Sequence, residues 1–486
     1  MPTPTAFISL RREEVTMSGT LGTAERPLRV AIIGAGPAGF YAAEALLKNS
    51  GITATVDFFN HFPTPYGLVR DGVAPDHQSI KSVTRVYDRL LENPKVRYFG
   101  NVTLGQDIHL ADIKPLYDMI VYAVGSPSDR RMGIPGEDLA GSLPATAFVG
   151  WYNGHPEYAD LNPDLSHERA VVVGIGNVAI DVARILLRSC DELAETDIAD
   201  YALAALRQSK VREVVMLGRR GPVQAAFTNA ELKELGELEG VDVVVAPADV
   251  VLDPDSEAEM AKDRVAKRNV EILREMAAKT EFTQPRRLYL RFLVSPVELF
   301  GENGHVSAVK IEKNELYRDD WGTMRPRGTS EFEIIDAGLV LRSVGYKGTP
   351  LKDVPFNPKT STVSNVAGRV VDPSTGEPVP GEYVTGWAKR GPTGIIGTNK
   401  PDSVETVNKM IEDIATLPGI ADENRDPVKV EALLKSRHID YVTFEDWKVL
   451  DRHEQEAGTA QGRPRVKVTS VPAMLDVIRQ KKQVPI

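Results

Sequence analysis

Two glycine-rich turns, about 140 residues apart, are the stretches of this chain best suited to chemistry. The first is Gly34-Ala35-Gly36-Pro37-Ala38-Gly39, directly after the run Leu28-Arg29-Val30-Ala31-Ile32-Ile33. The second is Gly174-Ile175-Gly176-Asn177-Val178-Ala179, directly after Ala170-Val171-Val172-Val173. Glycine lets a backbone turn sharply and approach a ligand closely. The unpaired amides that open a helix then face that ligand as donors. Together they make a cradle for a pyrophosphate. One such turn is weak evidence. Two, each between an apolar strand and a helical pattern, predict two bound dinucleotides. A chain that holds two is built to pass electrons between them.

The residues that end the second strand of each unit select the nucleotide. A carboxylate there accepts from ribose hydroxyls, and arginines there receive a 2′-phosphate. The second unit ends Leu217-Gly218-Arg219-Arg220-Gly221. Two guanidiniums can grip a doubly charged phosphate in fork geometry, so this site is expected to prefer NADPH to NADH. The first unit ends Phe58-Phe59-Asn60, with Asn60 where a glutamate would serve FAD. An amide can still bond a ribose hydroxyl, but without charge assistance, a loss of roughly 1 kcal/mol.

The elements that must hold these turns follow from the pattern. Strand, turn, helix (38–48), strand (54–59), a Gly/Pro loop and a helix (79–92) lead to the buried strand 117–125. The Pro- and Gly-rich segment 126–136 reads as a crossover. A second unit begins at Ala170, with a helix over 178–187 and a strand over 211–218. Residues 228–300 read as mostly helix, then strands. Residues 339–346 end in glycine, as 117–125 do, and read as the return crossover. A helix over 402–414 is expected to bury Val404, Val407, Met410, Ile411 and Ile414. The fold class is therefore α/β: two Rossmann-like dinucleotide-binding domains, the second inserted into the first. The expected boundaries are 27–130 with 345–486 for the first domain and 131–344 for the second.

Composition bounds the rest. The chain has 486 residues, 42% hydrophobic and 26% charged, with net charge −10. That balance does not favour nucleic acid or anionic lipid. No apolar run reaches membrane-span length. Cys190 is the single cysteine, which excludes a Cys-x-x-Cys redox pair and an iron–sulfur ligand set. It sits at the end of a helical pattern and reads as inert. A reducing cytoplasm fits. Residues 1–26 lack periodicity and read as a disordered tail, or as sequence upstream of a start at Met17. No metal site is expected.

With these features in view, the chain resembles ferredoxin–NADP reductases of the adrenodoxin-reductase type, over roughly 28–470. The blocks that carry the resemblance run from Pro63-Thr64-Pro65-Tyr66-Gly67-Leu68-Val69-Arg70 to Gly386-Trp387-Ala388-Lys389-Arg390-Gly391-Pro392-Thr393-Gly394-Ile395-Ile396-Gly397-Thr398-Asn399. Between them lie Gly72-Val73-Ala74-Pro75-Asp76-His77, Asp129-Arg130 and Gln224-Ala225-Ala226-Phe227-Thr228. The resemblance implies FAD in the first unit, NADP(H) in the second, and single electrons leaving to a ferredoxin-type iron–sulfur protein. It implies that Ala38, Asn60, Leu68 and Leu104 contact FAD, with Trp387, Gly394, Ile395 and Ile396 beside its ring. It implies that Arg130, Asn177, Val178, Arg219, Arg220 and Glu231 hold NADP. It also implies that His77 and Glu234 form a pair near the hydride-transfer region.

A partner surface is legible too. Residues 262–291 carry nine Lys or Arg against four acids. In an acidic protein, the positions Arg264, Lys267, Arg268 and Arg274 could steer an acidic ferredoxin, or could simply be a solvated helix face. Two rival readings stand beside the reductase. One is an NADPH-dependent flavin monooxygenase. The other is an NADPH-binding redox-sensing scaffold without flavin, motivated by Asn60.

Overall fold

The computed structural model describes residues 19–482. Leu28–Ile33 is buried along its whole length. Its alternate residues feed two cores: Val30 and Ile32 pack in one, Ala31 and Ile33 in the other. A strand covered on both faces needs a continuous apolar run, which is what this segment supplies. It lies inside a seven-stranded sheet in the order Asn365–Val366, Arg369–Val371, Pro378–Val384, Met119–Tyr122, Leu28–Ile33, Ala54–Asn60, Val96–Gly100. The five strands from Pro378–Val384 to Val96–Gly100 run parallel.

A second, wholly parallel sheet has the order Ser142–Pro144, Leu339–Arg342, Arg169–Val173, Glu213–Leu217, Arg286–Arg291, Val241–Val245. Val172 and Val171 again point into cores on opposite faces. The fold is thus two doubly wound units. The first draws strands from both ends of the chain and the second from the middle. Where the chain passes between them, Ser128–Asp129 pairs antiparallel with Tyr346–Lys347. The Arg130 amide continues that ribbon to the Gly345 carbonyl at 3.0 Å.

Several expectations need correction. Leu339–Arg342 is a strand of the second sheet, so the return crossover begins only after it. The helix expected over 79–92 is two, Gln78–Lys81 and Thr84–Leu91. The helix Asn399–Asp413 leaves Val404 38% exposed and buries Asn399, Ser403, Thr406, Val407 and Met410. Its inner face is partly polar because Ser403 donates to the Ala38 carbonyl at 2.9 Å and Thr406 to the Val384 carbonyl at 3.0 Å. The sequence reading assigns no element to 301–338. That stretch completes a three-stranded antiparallel sheet, Val294–Glu302, His305–Arg318 and Met324–Asp336. Of the expected tail, residues 1–18 lie outside the described residues. Within residues 19–26, Gly22 and Arg26 are buried, and Arg26 donates to the Ile420 carbonyl at 2.9 Å and pairs with Asp422 at 3.3 Å. Cys190 opens the helix Cys190–Ala194 rather than ending the preceding one, and burial raises its thiol pKa above the ordinary range.

The segment between the helices Phe444–Thr459 and Val471–Lys482 straps the two units together. Arg463 donates to the Thr196 carbonyl at 2.9 Å and pairs with Asp200 at 2.6 Å. Buried Lys467 donates to the Asn153 carbonyl at 2.9 Å and the Arg70 carbonyl at 3.0 Å. Asp197 receives Lys81 at 2.7 and 2.8 Å and lies 3.5 Å from Lys467. Burial alone would raise the Asp197 carboxyl, but the two ammoniums bring it down to about 2.

Candidate functional site

Each glycine of the two turns has a separate task. Gly34 has φ +105°, and a Cβ on it would lie 2.6 Å from the Ala123 carbonyl oxygen. Gly174 repeats this, with φ +136° and Ser343 oxygen at 2.3 Å. These two glycines are therefore demanded by the neighbouring strand. A Cβ on Gly39 would meet the Gly34 oxygen at 2.5 Å. Buried Ala179 fills the corresponding place in the second turn. Gly36 differs: a Cβ there would meet nothing within 4 Å, and on Gly176 only the Ala226 Cβ at 3.9 Å. The open side of these two leaves room for a ligand to approach the backbone. Both are N-cap residues, of Pro37–Lys48 and Asn177–Leu187, and neither helix has a side-chain cap. The first-turn amides are left for an anion.

Both turns open on one cavity of about 1870 Å³. Its wall includes Ala38, Asn60, Leu68, Leu104, Arg130, Asn177, Val178, Arg219, Arg220, Glu231 and Trp387, with Gly394, Ile395 and Ile396. Leu68 and Ile395, 41% and 58% exposed, give it an apolar lining suited to a flat ring. Trp387 is set by its indole N–H, which donates to the Thr393 carbonyl at 3.1 Å, and by the Tyr346 ring 5.1 Å away. Arg390 ties the following loop through the Thr393 carbonyl at 3.1 Å and Asn399 at 3.1 Å. The Gly394 and Ile395 amides have no acceptor among the described residues. They remain available to a ligand that accepts.

Arg219 and Arg220 follow the strand Glu213–Leu217 and line the cavity. Among the described residues neither has a carboxylate within ion-pair distance. Burial, then the charges of Arg219 and Arg325, lower the Arg220 pKa. Unbalanced cations in a cavity are what a phosphate would satisfy. With the open glycines, the site fits the two dinucleotides.

Asn60 lines the cavity, but its amide is already engaged. Oδ1 accepts from the Ala35 amide at 3.0 Å, and Nδ2 donates to the Phe62 and Thr64 carbonyls at 2.9 and 3.0 Å. Both donors are spent on the protein, so only an oxygen lone pair remains for a ribose hydroxyl. A glutamate could not replace those donations.

His77 and Glu234 come from different units and meet, Nε2 to Oε2, at 3.0 Å. His77 stands at the N-cap position of Gln78–Lys81 but its ring does not cap. Both residues lie behind the cavity wall, while Asp181 and Glu231 line it. Sequence reasoning missed the charges that complete this group. Arg184 Nη1 is also 3.0 Å from His77 Nε2, and Asp181 accepts from Arg184 at 3.0 Å. Asp76 receives both Arg184 and Arg188. A guanidinium only donates and a carboxylate only accepts, so one protonation state of Nε2 cannot satisfy both neighbours. Burial, reinforced by Glu231, pushes the Asp181 carboxyl up to about 7. Burial, with Glu234 adding to it, also raises Glu231. The ligand atoms of His77, Glu231 and Glu234 lie within 4.8 Å of one another. Arg184 occupies their neighbourhood and opposes a metal cation. One signal for the missed residues existed: Asp181 and Arg184, three apart, face inward on an otherwise apolar helix.

Residues 28–281 match the family model described as pyridine nucleotide-disulphide oxidoreductase. The chain is 45% identical over 462 residues to NADPH-ferredoxin reductase FprA of Mycobacterium tuberculosis, covering 93% of this chain and 99% of that one. It is 43% identical over 458 residues to the mitochondrial NADPH:adrenodoxin oxidoreductase of Arabidopsis thaliana, covering 92% and 94%. The chain belongs to this family. It is of the ferredoxin reductase, adrenodoxin-reductase-like type. The fold agrees: the structure of Mycobacterium tuberculosis FprA in complex with NADPH matches with a TM-score of 0.88, over 93% of this chain and 100% of that one. The disulphide of the family description has no counterpart here, since this member has one cysteine. No helix among the described residues is long and apolar enough to cross a membrane.

Proposed function

We propose that this protein is an NADPH:ferredoxin oxidoreductase that binds FAD in the 27–130/345–486 domain and NADPH in the 131–344 domain. One observation carries the reading: both glycine turns open on a single cavity, so two dinucleotides bound there meet end to end. The named reductases at 43–45% identity support it. When bound, the flavin supplies hydride acceptance from NADPH and one-electron release to an iron–sulfur partner. The chain's own residues do the rest. The open glycines and helix amides hold the two pyrophosphates. Arg219 and Arg220 take the 2′-phosphate, and Arg130, Asn177, Val178 and Glu231 complete that half. Trp387 and the Gly394–Ile396 loop position the ring and exclude water from it. Their free amides favour negative charge at the edge they face. His77, Glu234 and Asp181 manage a proton beside the reacting region.

The partner reading adds a surface. Helix Arg264–Ala277 buries Ala266, Val270, Leu273 and Met276 and exposes Arg264, Lys267, Arg268 and Arg274. Arg268 pairs with Glu271 at 3.1 Å. Among the described residues, the other three have no carboxylate within ion-pair distance, and they form the proposed docking face for an acidic ferredoxin. Reversing their charge should slow ferredoxin reduction and flatten its salt dependence, while ferricyanide reduction is retained. Loss of both activities would point to damage in the NADPH domain instead. The coenzyme reading is tested by Arg219→Ala with Arg220→Ala. Two charge-assisted contacts at roughly 1.5–3 kcal/mol each imply an NADPH loss of about a hundredfold or far more, with NADH little changed. Equal loss of both coenzymes would show that the arginines do not read the phosphate.

A further inference from the structure

The double arginine is held from behind by a sheet outside the nucleotide fold. Asn314 sits in the middle strand, His305–Arg318, of the antiparallel sheet and is 5% exposed. Asparagine is unfavoured in strands, and a buried amide is costly unless bonded. Here the pairing register shifts between Glu312 and Asn314. On its other edge the Asn314 backbone amide extends the pairing with Val294–Glu302, donating to the Leu293 carbonyl at 2.7 Å. Its side-chain Nδ2 donates to the Arg219 carbonyl at 2.9 Å and to Ser295 Oγ at 2.8 Å. Leu293, in the left-handed region at φ +55°, gives its own amide to the Arg220 carbonyl at 3.1 Å. One corner, built around Asn314, therefore fixes both peptide carbonyls of the pair.

We infer that Asn314 is the positioning residue for coenzyme discrimination, acting through the backbone of Arg219 and Arg220. The inference rests on the reading of that turn as the 2′-phosphate site. An arginine side chain without a carboxylate partner samples many rotamers, and ordering it on binding opposes affinity. Fixing the two peptide planes sets the direction in which both side chains leave. Fork geometry toward one phosphate needs that common origin. A side chain of similar volume without a donor leaves the Arg219 carbonyl unpaired and releases the turn. Asn314 itself does not line the cavity.

The test compares 2′,5′-ADP with 5′-AMP by calorimetric titration of the flavin-loaded enzyme. For Asn314→Leu, 2′,5′-ADP should weaken about tenfold, as expected for one lost hydrogen bond that orders a charged pair. Binding of 5′-AMP should change less than about twofold. In turnover, KM for NADPH should rise with kcat at saturation unchanged. Asn314→Gln, which keeps an amide donor, should recover part of the discrimination. If Asn314→Leu does not fold, Asn314→Val, suited to a strand, carries the same expectation. Equal weakening of both nucleotides, or unchanged discrimination, overturns the inference. The Arg219→Ala, Arg220→Ala protein is titrated alongside. If it still prefers 2′,5′-ADP, the phosphate reading itself fails. If it loses the preference and Asn314→Leu keeps it, only the role of Asn314 falls.

Discussion

Asn60 occupies the place where a carboxylate would meet an adenosine ribose, yet its amide holds three backbone groups of the surrounding loops. Asn60→Glu should therefore not tighten FAD. It should lower the unfolding midpoint by an amount corresponding to about 1–3 kcal/mol, because the Thr64 carbonyl loses its side-chain donor and the Phe62 carbonyl keeps only the Tyr98 hydroxyl. Thermal unfolding of the flavin-loaded protein reads this, and an unchanged midpoint would mean that the loop re-forms around a carboxylate. Asp181 gives a second expectation. Its folded carboxyl titrates near 7, above the unfolded value. The folded state thus holds a proton that the unfolded state gives up from about pH 4 upward. The group's cost to stability grows between about pH 4 and 7 and stays above that. Asp181→Asn should gain stability relative to the parent at pH 8 and little at pH 4. A gain independent of pH would show that Asp181 is ionised throughout. At this scale, the residues legible in the sequence were those whose meaning is local. The glycines and the double arginine act at fixed offsets from a strand. The charged group was legible only in part: the resemblance pointed to His77, Glu231 and Glu234, whereas Asp76, Asp181, Arg184 and Arg188 join them only once two units close on each other.

The glycines of each turn make a prediction about elements. Gly34→Ala and Gly174→Ala drive a Cβ into a neighbouring strand's carbonyl and force an L-residue to positive φ, so both should fold poorly. Gly36→Ala should fold, since its space is open and its φ of −97° is ordinary. It should instead lose flavin, read as the ratio of flavin absorbance to protein. Full flavin content in Gly36→Ala would mean that the pyrophosphate does not approach there. The first strand of each nucleotide-binding unit was legible as an apolar run followed by a glycine turn. The helix Asn399–Asp413 shows the limit: its contact face is built of Ser403 and Thr406, which bond carbonyls of the first unit, so an apolar stripe pointed to the wrong residue, Val404. The antiparallel sheet escaped for a related reason. The strand Met324–Asp336 is largely exposed and polar, so no alternation marks it.

For the molecule as a whole, the strap decides how the two units sit. Asp197 balances Lys81 and Lys467 where the units meet, and all three are buried. Asp197→Asn leaves Lys81 unbalanced beside Lys467, whose amine burial already pushes down to about 7, and should cost about 3–5 kcal/mol. Adding Lys81→Met should restore part of it, and unfolding of the single and double variants measures the coupling. The carboxyl is held near 2, below its unfolded value, so its contribution is present above about pH 4 and disappears as pH falls toward 2. A parent protein no more acid-sensitive than Asp197→Asn would deny the strap this role. The paired crossovers carry a different consequence. Because Ser128–Asp129 and Tyr346–Lys347 lie side by side, the middle unit leaves and rejoins the chain at almost one point in space. Geometrically it is a cassette. A gene could acquire, exchange or lose such a unit in one event without re-routing the host sheet, and a splice at that ribbon is where a coenzyme preference could be transplanted between relatives.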